Sequence, residues 1–559
     1  MAFHKTPAFS SRGYRRILLF VASLGGLLYG IDIGIIATAL LYVGKTINLS
    51  IGETSLIVAA VLGGGMISSP AAGLLADLFG RKKIMVVGGI LFVASIVFIV
   101  LSQGFVPLFL GRVLQGISGG FIAVVVPLYL SETLDAHTRG KGTALFQFML
   151  TVGIALAALI GWFYTRQAEL AVNRAAGNAA LIRAAQEHAW RGMFLSVIYP
   201  GVLFLLGALL LSESPRWLIR RGRRQDGLNA LRRTASYGHD AETEFDQIES
   251  LITQKKSRAG SDSLWHRKYI IPFALSCLIL ACNQATGINT VLGFMVVILR
   301  HAGMSATRAT QGDVIVKLLN CIMTVVAVAL VDKKGRKFLL KLGTGGIIVS
   351  LSTAAFLFYM CESKRVDIKT QVQSAQRGNI VTYPFTWDTS KSSGEMALTV
   401  LYTYGDGDRV ATVSSDDEKP ILHIQPEEQT TNGRIPSLMI KKAFFVPVAS
   451  ERTGWLITTC LALFIASFAV GPGVVVWLTL SELMPMKIRS RGMGLALLLN
   501  QGVSTIIAGT FLPVVGNYGY YAIFSFWASC TVIYFLVATF YLPETKGKTL
   551  EQIEAHFER

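Results

Sequence analysis

Two charged residues stand where charge is costly. Asp32 lies in the apolar run Leu27-Leu-Tyr29-Gly30-Ile-Asp32-Ile-Gly34-Ile-Ile, with no basic neighbour close in sequence, and Arg112 lies near the start of another apolar run. An ionisable group inside an apolar helix is expensive and is read as functional by default. An acid partnered by an arginine there is a candidate proton switch, because protonation neutralises Asp32 and frees Arg112. A fixed ion pair locking two helices is the structural alternative. A second, uncharged set falls in similar runs: Gln147, Asn283, Gln284, Asn289, Asn320, Asn500 and Gln501, with Trp477 beside them. Each amide both donates and accepts, and an indole offers a flat apolar face. Singly, such an amide makes an interhelical hydrogen bond worth about 0.6 kcal/mol.

A third set is charged and recurs. Asp77-Leu-Phe-Gly80-Arg81-Lys is matched 255 residues later by Asp332-Lys-Lys-Gly335-Arg336-Lys. Glu132 with Arg139, seven residues apart, is matched 350 residues later by Glu482 with Arg489. The unequal offsets place about ninety extra residues in the second half, and 362–450 is the one long polar stretch there. Gly80 and Gly335 permit a turn with almost no loop. Pairs such as Asp77 with Arg139 or Glu482 with Arg336 are expected to close that face through charge-assisted hydrogen bonds. Simple anchoring by basic residues is the plainer reading.

The elements that hold these residues follow from composition. The chain has 559 residues, 52% hydrophobic and only 15% charged, where soluble domains carry roughly 25% charged residues. Apolar runs long enough to cross a bilayer fall near 17–43, 54–76, 84–103, 107–131, 142–164, 192–211, 269–299, 314–331, 338–361, 453–481, 492–513 and 517–541. Lys and Arg concentrate on the side of the Asp77 and Asp332 turns, which predicts that both termini are cytoplasmic. Lys45, Arg300 and Lys317 count as flanks of outer loops. The surplus of +18 is therefore a topology signal, and nucleic acid is not expected as a partner. The first run is too long for a cleaved secretory segment. Five of the six cysteines lie inside runs and Cys361 ends one, so neither a disulfide framework nor a metal cluster is expected. No nucleophile, metal-ligand or phosphate-binding constellation points to an enzyme or to a cofactor.

The motifs Gly73-Leu-Leu-Ala-Asp77-Leu-Phe-Gly80-Arg81, Gly111-Arg112-Val-Leu-Gln-Gly116, Pro127-Leu-Tyr129-Leu-Ser131-Glu132, Glu213-Ser-Pro215-Arg216-Trp217, Gln284-Ala-Thr-Gly287-Ile-Asn289 and Pro543-Glu544-Thr545 occur in family order. On these the chain resembles the sugar porters of the major facilitator superfamily, over all but 362–450. The resemblance implies an all-α membrane fold of twelve helices in two six-helix halves related by duplication. It also implies a first-helix protonation site at Asp32 and sugar contacts from Gln147, Gln284, Asn289, Asn320, Trp477 and Asn500. Asn283 stands where the family has a glutamine, Gln501 where many members have an aromatic residue, and Gly293-Phe294 where a gate tyrosine is found.

The boundaries read as 1–211 for the first half, 212–268 for a cytoplasmic linker with short helices, 269–361 and 451–541 for the second half, and 542–559 for a tail. Segment 362–450 interrupts the second half with 10 basic and 11 acidic residues and an alternating run from Ala397, which predicts a β-rich external insert. Segment 166–190 reads as an Ala-rich outer loop, partly helical. The gate charges on the cytoplasmic face are Asp77, Arg81, Glu132, Arg139, Glu213, Arg216, Asp332, Arg336, Glu482 and Arg489. Gly471-Pro472-Gly473 reads as a hinge. The expected function is sugar/proton symport across the plasma membrane by a monomer. The alternatives are a passive uniporter and a sugar receptor that does not transport.

Overall fold

The structure is a computed structural model that describes residues 11–544 except 135, 235–241, 244, 247, 251–266, 386–395, 406, 415–420, 427–436, 448–449, 477–482 and 485–488. Trp477 and Glu482 lie outside the described residues, as do the side chains of Arg139, Asp332 and Arg489.

Among the described residues, twelve helical segments are long and apolar enough to cross a membrane. The first half holds α1 (Ser11–Thr46), α2 (Ile51–Phe79), α3 (Arg81–Leu101), α4 (Phe105–Thr133) and α5 (Ala136–Arg174), followed by α6 (Ala179–Ser196) and α7 (Ile198–Leu210), two pieces of one span. The linker supplies α8 (Pro215–Arg220) and α9 (Arg224–Thr234). The second half holds α10 (Arg267–Ala285), α11 (Ile288–His301), α12 (Ala306–Lys334), α13 (Arg336–Glu362), α14 (Glu451–Phe468), α15 (Arg489–Tyr518) and α16 (Tyr520–Leu536).

Three features differ from expectation. The seventh span is not continuous: Gly287 adopts φ +80 between α10 and α11, a left-handed conformation that glycine adopts without strain. The face of the Trp527 indole packs where a Gly287 side chain would lie. The stretch expected as an outer loop is nearly all helix, since α5 runs to Arg174 and α6 starts at Ala179. Lys317 is no loop flank; it is fully buried within α12.

Close packing explains the glycine spacing in α1. A Cβ at Gly26 would strike the Phe146 carbonyl, one at Gly30 the Leu150 carbonyl, and one at Gly34 the Ala157 methyl. Small residues four apart let helix backbones approach where lipid offers no hydrophobic drive. The α1–α5 contact therefore seats Asp32 rigidly in the first half. In the second half, a Cβ at Gly471 would come within 2.8 Å of the Gly343 Cα. Here Ala469–Gly473 form a π-turn at the end of α14, so the Gly-Pro-Gly break also serves close packing on α13.

The turns bearing Asp77 and Asp332 lie on one face, here the basic face. On the opposite face both halves share one apolar core. Gly293 of α11 leaves room for Val58 and Ile36 of the first half, Phe294 is buried against Phe511, and the Leu512 amide donates to Ser55 Oγ at 3.1 Å. Nearer the basic face, the second half has a separate core of its own around Leu280, Leu339, Val476 and Tyr534.

On the opposite face too, residues 366–447 form a four-stranded antiparallel sheet in the order β1 (Val366–Asp367), β7 (Met439–Pro447), β4 (Met396–Thr403), β5 (Asp408–Ser414), and a three-stranded sheet β2 (Gln376–Arg377), β3 (Ile380–Pro384), β6 (Ile421–Ile424). Alternate residues of β4 and β7, including Leu398, Val400, Ala443 and Phe445, point into their own small core. A cavity of about 430 Å³ separates the sheet from α11, α13 and α15.

Candidate functional site

Asp32 and Arg112 are both fully buried, yet they do not pair directly. Gln115, one turn after Arg112 on α4, stands between them: its Nε2 donates to Asp32 Oδ1, and its Oε1 accepts from Arg112 Nη1 at 2.6 Å. The expected partnership is thus relayed through an amide. Asp32 Oδ2 is buried without a hydrogen-bond partner, as is Arg112 Nε, while the guanidinium lies 5.6 Å from the Phe194 ring. A buried carboxylate oxygen with no donor is a position where a proton supplies what the protein does not. Gln115 lies within the Gly111–Gly116 motif, and its spacing of three from Arg112 is the available signal for it.

The amides gather on the second half. Asn289, in the first turn of α11 after the Gly287 break, donates through Nδ2 to Gln284 Oε1 at 3.0 Å and to Ser504 Oγ at 2.9 Å. The broken helix is what brings Gln284 and Asn289, five residues apart, to one point. Ser504 lies on α15 one turn after Asn500 and was not anticipated, because a lone serine in an apolar run carries no signal of its own. Asn283 Oδ1 and Asn500 Oδ1 are buried acceptors without a partner. Gln501 reaches across to the first half, with its Nε2 near Gly65 and its amide facing Tyr29. Gln147 is half-buried on α5 and Asn320 is buried on α12, the two helices that pack against each other across the halves.

An aromatic wall backs the amides. Trp527 stacks on Phe511 with ring centroids 5.8 Å apart, Phe511 meets Phe294 at 4.7 Å, and Trp527 Nε1 is buried without a partner. Flat faces next to unpaired donors and acceptors suit a ligand that is apolar on its ring faces and polar at its edge.

The basic face is built from the repeated turns. Gly80 and Gly335, at φ +103 and +89, turn the chain so that α3 and α13 begin with free amides. Glu213 Oε1 accepts from the Arg81 and Lys82 amides at 2.8 and 3.1 Å. Glu544 accepts in the same way from the Arg336 and Lys337 amides at 3.2 and 3.1 Å. These carboxylates satisfy orphan helix donors and sit at the positive end of the helix dipole. Arg81 pairs with Asp77 at 2.7 Å and Glu132 at 2.8 Å, and Arg220 of the linker reaches the same Glu132 at 3.0 Å. Asp77 therefore turns to Arg81 and Arg220, the latter at 3.8 Å. Trp217 Nε1 and Arg221 also donate to the Asp77 carbonyl, and Arg216 and Arg336 have partners as well.

The model of a family described as sugar (and other) transporters matches residues 18–385 and 435–557. The unmatched gap falls within the β-rich segment. The chain is 27% identical to a glucose transporter, GlcP, of Staphylococcus epidermidis, covering 96% of both chains. It is 26% identical to a galactose-proton symporter of Escherichia coli, covering 98% of this chain and 95% of that one. Among solved structures it is similar to the inward-open xylose transporter XylE of E. coli, with a TM-score of 0.67 at 21% identity over 97% of this chain and all of that one. That likeness establishes the major facilitator fold.

Proposed function

This chain belongs to the sugar (and other) transporter family, and from that membership we propose that it carries a monosaccharide inward across the plasma membrane together with a proton. The basic face is cytoplasmic in this reading, as are both termini, in keeping with the Lys and Arg bias of the sequence. The sugar occupies the interface between halves, hydrogen-bonded by Gln284, Asn289, Asn283, Asn500 and Gln501 and backed by Trp527. Gln147 and Asn320 face it from the pair of helices that bridges the halves. Names of relatives support the class: one is a glucose transporter and another a galactose-proton symporter.

The observation that carries the proton is Asp32, fully buried, with Oδ2 unpartnered and Oδ1 held by Gln115. Protonated, the carboxyl no longer needs the Gln115–Arg112 chain. Gln115 and Arg112 are then free to re-pair, and helix α1 is released from α4. Outward opening admits proton and sugar, the halves rock about the site, and both ligands leave through the basic face. Uptake by proteoliposomes of a panel of labelled hexoses and pentoses, with and without an inward proton gradient, tests this. Concentration of at least one sugar only when the gradient is present is expected. Equal uptake in both conditions would make the chain a uniporter, and binding without uptake a receptor.

A further inference from the structure

A second buried charge pair lies outside everything assigned so far. Asp313 and Lys317, one turn apart on α12, are both fully buried, with Lys317 Nζ 2.8 Å from Asp313 Oδ2. The same ammonium donates at 3.1 Å to the carbonyl of Gly34, on α1 and 283 residues away. Gly34 is two residues from Asp32, and Lys317 is one turn from Asn320 on the same helix. One cation thus joins the helix that carries a sugar amide to the helix that carries the proton site. Asp313 Oδ1 is buried without a hydrogen-bond partner.

Stability does not account for the pair. Desolvating two charges costs about as much as their attraction returns, and apolar replacements are often as stable. The distinctive contact is the one between halves. We propose that Lys317 is a positioning residue for transport, a latch that holds α12 against α1 while the outer side is closed and lets go when it opens. Asp313 moves with Lys317 on the same helix. Opening therefore breaks the bond to Gly34 without leaving the ammonium unpaired in the apolar interior, which would be far more costly. The shared outer core of Ile36, Val58, Gly293 and Phe294 closes on the same side of the amide site. The proposal rests on the alternating-access reading above but on neither the sugar nor the proton.

Spin labels on Gly44→Cys and Thr307→Cys, at the outer ends of α1 and α12, report the gap between halves by pulsed electron-spin distance measurement. The full chain without its six native cysteines is used in liposomes, with no sugar and no pH gradient. Two variants remove the latch differently. Asp313→Asn with Lys317→Met deletes both charges; Asp313→Lys with Lys317→Asp keeps the pair but moves the ammonium a turn away from Gly34. Both are expected to shift the closed-to-open ratio roughly ten- to hundred-fold toward the longer distance, the range for a hydrogen bond from a charged donor. Lys317→Arg, which keeps a donor at the site, is expected to retain the short distance. Wild-type distances in both latch variants would overturn the proposal, and so would failure of both to accumulate as folded protein, which would assign the pair to folding. Failure of the sugar/proton reading would show in uptake and would leave these distances unchanged.

Discussion

Between Asp32 and Arg112 stands a side chain whose only means of holding both is to present its donor to one and its acceptor to the other. Gln115→Leu keeps the volume but leaves a carboxylate oxygen and a guanidinium nitrogen unpaired, a loss of about 1–3 kcal/mol per buried group. Gradient-driven sugar uptake by Gln115→Leu is expected to fall at least ten-fold; wild-type accumulation by that variant would show that the relay is incidental. At the proposed sugar site, Ser504→Ala removes one acceptor from Asn289 Nδ2, and the KM for sugar is expected to rise about five- to ten-fold with little change in maximal rate. A lower maximal rate at unchanged KM would place Ser504 outside the site. Asp32, Arg112 and the amides were legible because a polar group in an apolar run announces itself. Gln115 and Ser504 were not, because their meaning lies in partners 83 and 215 residues distant. Lys317 was misread because the run around it is interrupted by Asp313, and a hydropathy count scores the two charges singly and cannot register that they pair one helix turn apart.

At the scale of elements, one device is used three times among the described residues. A glycine at positive φ starts a helix, and a glutamate from a distant helix end accepts its first amides: Glu213 at α3, Glu544 at α13 and Glu362 at α16, where the Tyr520 and Tyr521 amides donate at 2.9 and 3.4 Å. The first two tie the ends of each half together on the basic face, and the third does so on the opposite face. Losing such a cap costs about 0.5–2 kcal/mol. Glu213→Ala and Glu544→Ala are each expected to lower the Tm of the detergent-solubilised protein by a few degrees, and the double variant by about the sum, since the sites lie in different halves. A double variant no worse than either single one would mean that the two turns unfold as one unit. The repeated turns were visible as sequence motifs, but the caps were not, because nothing in Pro543-Glu544 names the amide it meets. Gly287 was quoted within its motif and yet the break went unseen, since the run stays apolar on both sides of it.

The whole molecule is a duplicated twelve-helix body with a β-rich insert rooted at the ends of α13 and α14. The unequal repeat offsets called for about ninety extra residues between 332 and 482, because a duplication leaves a fixed register that an insertion must violate, and the polar stretch 362–450 was the one place for them. Its internal pairing was beyond sequence reasoning: β1 pairs with β7 through Val366 opposite Phe445, residues nearly eighty apart. That pairing also means that the two roots lie about 5 Å apart, so a short linker can close them. The insert has its own apolar core, and it touches the first half where Gly407 meets Ser50. Replacing 366–446 by a short Gly/Ser linker is expected to leave a monodisperse membrane protein by size-exclusion chromatography; aggregation would show that the sheet completes the face opposite the basic one. For the molecule as a transporter, the most direct test is sugar accumulation in proteoliposomes under an imposed proton gradient, comparing wild type with Asp32→Asn. Asp32→Asn should lose concentrative uptake while sugar exchange across the membrane stays measurable. Accumulation against a gradient by Asp32→Asn would contradict the role of Asp32 as the proton carrier.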